Sequence, residues 1–226
     1  MKFVNQLDYP HLMYKRIQMT PEFFEKNKAL FENLKGMQGA AAQETPAPGT
    51  PLPPGNVEKG GCGLCCAVMA ADQLTPNSQF SLEDALDISY EAKANFGGTD
   101  YDLFGPAFAE KMGYAFASTN SLADVDEVLK TGGVAVASVA GDRVDGHVGV
   151  FTHGWHYILV FAKREDGKYA ILDPSQTPTK YDEPGRKELV EAGKLIVDGN
   201  ILYADGDVLA EEVKLLNPGF FMFCRK

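Results

Sequence analysis

The chain has 226 residues, with 31 Asp plus Glu against 21 Lys plus Arg and a formal net charge of −10, so it offers no basic surface for a nucleic acid. Hydrophobic residues make up 45% and charged residues 23%, which excludes a wholly disordered chain and leaves enough apolar material for one sizeable core. The longest apolar runs, residues 134–140 and 157–162, fall far short of the roughly 20 residues of a membrane-spanning helix. Polar residues soon after Met1 leave no apolar signal segment, so the expectation is a cytoplasmic protein, with export open only if a leader has been trimmed.

The first 38 residues read as an arm. Thr20, Pro21 and Glu22 start a helix, and Phe23, Leu30, Phe31 and Leu34 give an apolar stripe, interrupted by Asn27, that stops at Gly36 after roughly four turns. Residues 39–55 hold Pro46, Pro48, Pro51, Pro53 and Pro54, which prevents helix and sheet and predicts an extended tether or a proline-rich ligand for a partner. Residues 56–226 then form the main domain.

In that domain Cys62–Leu74 is a uniformly apolar helix stopped before Pro76, Ser81 to Asp84 opens a second helix toward Asn95, Asp102–Met112 makes a third, and Ser121 starts a fourth that ends at Gly132–Gly133. Strands are expected at Val134–Ala140, Val148–Phe151, His156–Ala162 and Tyr169–Leu172, with Glu165, Asp166 and Gly167 as a hairpin turn, and later at Leu195–Val197, Ile201–Tyr203 and Phe220–Cys224. Helices first and a mostly antiparallel sheet afterwards predict an α+β domain.

Four cysteines, three of them at positions 62, 65 and 66, do not make a disulfide framework, and chemistry is the better reason for the cluster. Cys62 sits where a helix begins, between Gly61 and Gly63. There the free amides and the dipole favour a thiolate, and two residues without side chains let a substrate backbone approach. A thiolate nucleophile needs a base and a group to orient it. Of His11, His147, His153 and His156, only His156 opens an unbroken apolar strand, and the hairpin returns Asp173 toward it. Cys65 as nucleophile, a Cys62-x-x-Cys65 dithiol exchanging disulfides, and a zinc site built from those cysteines with two histidines are the rival readings of the same residues.

Gly61-Cys62-Gly63-Leu64-Cys65-Cys66-Ala67-Val68-Met69, together with Trp155-His156-Tyr157-Ile158-Leu159-Val160 and Leu172-Asp173-Pro174, resembles the nucleophile helix, the histidine strand and the Asp-Pro turn of the C39-like peptidases, within the papain-like cysteine peptidases. The resemblance covers roughly residues 56 to 175. It implies a papain-like fold, with N-terminal helices packed on the sheet, and peptide-bond hydrolysis with Cys62 as nucleophile, His156 as base and Asp173 orienting the imidazole. The family usually carries Gln six residues before its nucleophile to help bind the oxyanion; Asn56 stands there in this chain, and Trp155 replaces a common Gly. Gly61, Gly63 and Trp155 are expected along the substrate cleft. The resemblance implies a peptide or protein substrate and calls for no cofactor. Acyl transfer, and a catalytically silent peptide-binding module on the same fold, are the functional alternatives.

Overall fold

The computed structural model describes residues 2–35 and 52–226. The segment predicted as a proline-rich tether and the Gly36 helix stop fall mostly or wholly outside the described residues.

In chain order the arm contributes a short 3-10 turn at Gln6–Asp8, strand β1 (Met13–Tyr14) and helices α1 (Pro21–Lys26) and α2 (Lys28–Asn33). The single long arm helix of the sequence reading is therefore two short ones. Thr20 caps α1 through its side chain, but Asn27 leaves helical geometry, and its buried amide donates to the Phe23 carbonyl at 2.9 Å. An asparagine that finds a local backbone partner competes with the helix ladder. After β2 (Gly55–Asn56) and the single turn α3 (Val57–Gly60) come α4 (Cys62–Leu74), α5 (Leu82–Glu91) and α6 (Tyr101–Met112). The Ser81–Asp84 capping box forms. Its helix stops at Glu91, short of the expected Asn95.

Strand β3 (Tyr114–Thr119) precedes α7 (Leu122–Lys130), and β4 (Val134–Ala140), β5 (Trp155–Lys163) and β6 (Tyr169–Leu172) follow. Helix α8 (Arg186–Glu191), strands β7 (Leu195–Asp198) and β8 (Ile201–Ala204), helix α9 (Gly206–Val213) and strand β9 (Phe220–Arg225) complete the order. The seven longer strands make one antiparallel sheet in the order β3-β9-β4-β5-β6-β8-β7. This is an α+β arrangement in which a buried cysteine-bearing helix packs on an antiparallel sheet. No strand forms at Val148–Phe151. That loop is buried at Val150 and Phe151, but its Val150 amide donates to the Glu212 carboxylate rather than to a neighbouring strand.

Alternation along the strands sends side chains to two cores. One face of the sheet packs Val136, Tyr157, Leu159, Phe221 and Phe223 against α4, α5 and α6; the other packs Ala137, Ile158, Val160 and Ile171 against α7 and α9. β5 thereby starts at the edge of α4 and carries His156 to the end of the helix where Cys62 lies. The arm closes a third cluster, in which Phe23, Leu30, Phe31 and Leu34 meet Ala140, Leu216 and Trp155.

Trp155, the single tryptophan, has ring centroids of Phe23, Phe96 and Phe31 at 5.6, 5.9 and 6.3 Å, so its emission reports on the arm. Leu30→Ala, at a site with no solvent exposure, is expected to cost about 2–4 kcal/mol of unfolding free energy. Removing residues 1 to 38 should shift Trp155 emission to the red. An unchanged emission maximum in the truncated chain would show that the arm does not cover the indole.

Candidate active site

Cys62 is the first residue of α4 and Gly61 its N-cap, so the sulfur lies among amides that have no partner within the helix. The thiol is nearly buried, with 8% of its residue surface exposed. Burial pushes its pKa up; the charge and hydrogen bond of His156, with the backbone amides of Tyr157 and Gly63, outweigh this and bring it below the ordinary thiol value. Burial equally works against protonated His156, and the neighbouring Cys62 and Asp173 charges overcome it and raise the imidazole pKa. Both shifts favour one state, a thiolate facing an imidazolium. The Tyr157 contribution is local to the motif. His156 and Tyr157 are adjacent on β5, and one offers its ring and the other its N–H to the same sulfur.

On the far side of the ring, His156 Nε2 is 2.8 Å from Asp173 Oδ1. The hairpin accounts for this: Leu159 pairs with Leu172, and a bulge between Val160 and Ala162 adjusts the register, so the residue after β6 comes back beside the start of β5. Asp173 has no solvent exposure and is surrounded by donors. Lys180 Nζ lies 2.5 Å and Tyr181 Oη 2.7 Å from Oδ2, while the Ser175 amide donates to Oδ1 at 2.9 Å. Burial alone would raise the carboxyl pKa, but Lys180 and His156 hold it well below the usual carboxylate range. Ser175 Oγ lies 3.1 Å from His156 Nε2 and 2.7 Å from Lys180 Nζ, linking the three charged groups.

Lys180, Tyr181 and Ser175 carried no signal in the sequence. A lysine and a tyrosine seven and eight positions beyond Asp173 read as ordinary loop residues until the 3-10 turn at Lys180–Asp182 brings them back to the carboxylate.

The remaining sequence candidates lie as follows. Cys65 and Cys66 are inside α4 with no exposed surface, and burial raises both thiols well above their ordinary value. His147 Nε2 is 2.6 Å from Glu212, and His153 bridges Asp142 and Glu183 at 3.0 Å each; neither joins Cys62. Asn56 caps α3, its oxygen accepting from the Lys59 amide at 3.1 Å while its nitrogen lies 3.4 Å from the Pro10 carbonyl. A Cβ on Gly61 would meet Val57 at 2.5 Å, and one on Gly63 would meet Thr99 and Tyr101 at 2.9 Å, so both glycines permit close packing around the start of α4. The Trp155 ring stacks on Phe96, and its Nε1–H donates to Ser138 Oγ at 2.7 Å. Among the described residues no group of three or more His, Cys, Asp or Glu side chains is placed to hold a metal ion, and no helix is long and apolar enough to cross a membrane.

Against known proteins, no family model matches the chain and no curated protein matches it. Solved structures to which it is similar include the peptidase domain of Streptococcus ComA, a bi-functional ABC transporter involved in a quorum-sensing pathway, at 14% identity and a TM-score of 0.44 over 73% of this chain and 91% of that one. Another is a protein from Bacillus anthracis described as a C39-like peptidase, at 10% identity and a TM-score of 0.45 over 74% of this chain and 88% of that one.

The Asp173 shift sets a pH dependence of stability. A carboxyl depressed in the folded state adds stability that is fully present above the unfolded value of about 3.9 and is lost as pH falls toward the folded value. Asp173→Asn removes that contribution and leaves buried Lys180 without its counter-charge, a loss of about 3–5 kcal/mol at neutral pH. In denaturant titrations the gap between wild type and variant should narrow as pH drops below about 4. A gap constant from neutral pH down to acid would show that the carboxylate is not the group responsible.

Proposed function

We propose that this chain is a cysteine peptidase of the C39-like kind, with its chemistry carried by residues 56–226. The observation that carries the reading is the buried line of Cys62, His156 and Asp173 at a helix N-terminus, with both coupled groups shifted toward the ion pair. In this reading the Cys62 sulfur attacks the scissile carbonyl carbon, and a carbon–sulfur bond forms as the carbonyl π pair moves onto oxygen. When the tetrahedral intermediate collapses, the carbon–nitrogen bond breaks and His156 gives its proton to the departing amine. Water then attacks the thioester, His156 takes the water proton, and the acid product leaves with the thiolate restored. Asp173 stays ionised throughout and fixes the ring so that the other nitrogen faces sulfur.

The burial and raised pKa of Cys65 support Cys62 over Cys65 as nucleophile and weigh against a dithiol that exchanges disulfides, since such a pair needs an accessible second thiol. Peptide or protein is the substrate class proposed.

With a quenched fluorescent casein as substrate, Cys62→Ala and His156→Ala should abolish hydrolysis, and Asp173→Asn should lower kcat by about 10³–10⁴ through loss of the orienting acceptor. The active form needs Cys62 deprotonated and His156 protonated. The acid limb should therefore lie below an ordinary thiol value of about 8.5, and the alkaline limb above an ordinary imidazole value of about 6.5. Full hydrolysis by Cys62→Ala would refute the reading. Covalent capture of casein-derived acyl groups without their release to water would replace it with acyl transfer.

A further inference from the structure

The arm brings a polar group to the turn just before Cys62 that the sequence reading did not use. Met13 pairs with Asn56 and Tyr14 with Gly55 in the small β1–β2 ladder, and the Val57 amide donates to the Leu12 carbonyl at 3.0 Å. These bonds lay the Tyr14 ring across two glycines. A Cβ on Gly55 would sit 2.5 Å from the ring, and one on Gly60 would sit 2.4 Å from the Tyr14 hydroxyl and 2.2 Å from the Gly97 carbonyl oxygen. Only residues without side chains admit the ring here, and Gly60 is two positions before Cys62. Tyr14 is 3% exposed. Burial, with the Cys62 charge next, pushes its pKa up to about 12, so at neutral pH the phenol keeps its proton and can donate it in a hydrogen bond.

The proposed reaction develops negative charge on the substrate carbonyl oxygen beside Cys62, and a donor fixed in advance at that point accounts for a large part of catalysis. The first-turn amides of α4 supply one side. Asn56 sits at the family's usual position for the second donor, but its oxygen caps α3 and its nitrogen faces Pro10. We propose that the Tyr14 hydroxyl, delivered by the N-terminal arm, is the second donor to the oxyanion, so that the arm completes the active site rather than merely packing against it. This inference rests on the peptidase reading.

The test compares two reactions of the full-length protein. Acylation by p-nitrophenyl acetate passes through an oxyanion: sulfur bonds to the acetyl carbon, and p-nitrophenolate leaves with the electron pair of the broken carbon–oxygen bond. Alkylation by iodoacetamide displaces iodide directly and forms no oxyanion. Tyr14→Phe keeps the ring and should slow the acylation burst about a hundredfold, while the alkylation rate of Cys62 and the melting temperature stay at wild-type values.

Equal slowing of both reactions, or a lowered melting temperature, would show that the hydroxyl only braces Gly60 and Gly97, and the proposal fails. It fails too if acylation is unchanged, or if it is faster, since faster acylation would make Tyr14 an obstruction. Cys62→Ala separates the two levels. If that variant still gives the burst, the thiol reading is what is wrong; if it loses the burst and Tyr14→Phe retains it, only the assignment of Tyr14 is lost.

Discussion

The buried carboxylate of Asp173 is the constraint from which the rest of the site follows. An ionised group with no exposed surface is tolerable only when each lone pair is met by a donor, and here His156, Lys180, Tyr181 and the Ser175 amide all converge on it. Those bonds fix the imidazole from behind. With Nε2 committed to Asp173, the opposite ring nitrogen is the one left for Cys62, and the strand that carries His156 also delivers the Tyr157 amide to the same sulfur. The helix terminus supplies the remaining donors. A thiol that burial alone would make inert is instead drawn toward its anion.

That arrangement explains why two neighbouring cysteines three and four positions along the same helix behave oppositely. Cys65 and Cys66 share the burial of Cys62 but lie within the helix body, beyond the reach of the terminal amides and of the imidazole. Burial therefore goes uncompensated, and both thiols are raised. Position at the helix end, more than exposure, separates the thiol whose pKa is lowered from the two whose pKa is raised.

Much of this was legible in the sequence because it depends on local signals. The Cys62–Leu74 helix, the Val134–Ala140 strand and the Glu165 to Gly167 turn follow from apolar runs bounded by glycine, proline and aspartate, and strands β4 and β6 run between the residues expected. The hairpin in turn places Asp173 beside His156. What stayed hidden depends on tertiary partners. Val148–Phe151 has strand composition, yet the buried Glu212 takes its amide hydrogen bonds and holds it as a loop. Strand β3 is partly exposed along its length, and helices α8 and α9 run only six and eight residues; the sequence reading marked none of the three. Lys180 and Tyr181 reach Asp173 through a turn, and Tyr14 reaches Gly60 through a two-residue ladder across more than forty intervening residues; no spacing rule spans such a gap.

The arm's place on the body has the same physical origin. Phe23, Leu30, Phe31 and Leu34 are too few to hold isolated helices of six residues in water, and burying them against Trp155, Ala140 and Leu216 supplies the missing stabilisation. The packing brings Trp155, the neighbour of His156, into contact with the arm, while β1 brings Tyr14 against Gly60, in the turn before Cys62.

The central claim is that His156 draws the Cys62 thiol toward its anion and brings its pKa below the ordinary thiol value. Ultraviolet titration of thiolate absorbance, taken as the difference between wild type and Cys62→Ala, measures this directly. The account predicts one thiolate ionising below the ordinary value of about 8.5, with the midpoint moved upward in His156→Ala. A difference signal that appears only above that value, or one that is the same in His156→Ala as in wild type, would contradict it.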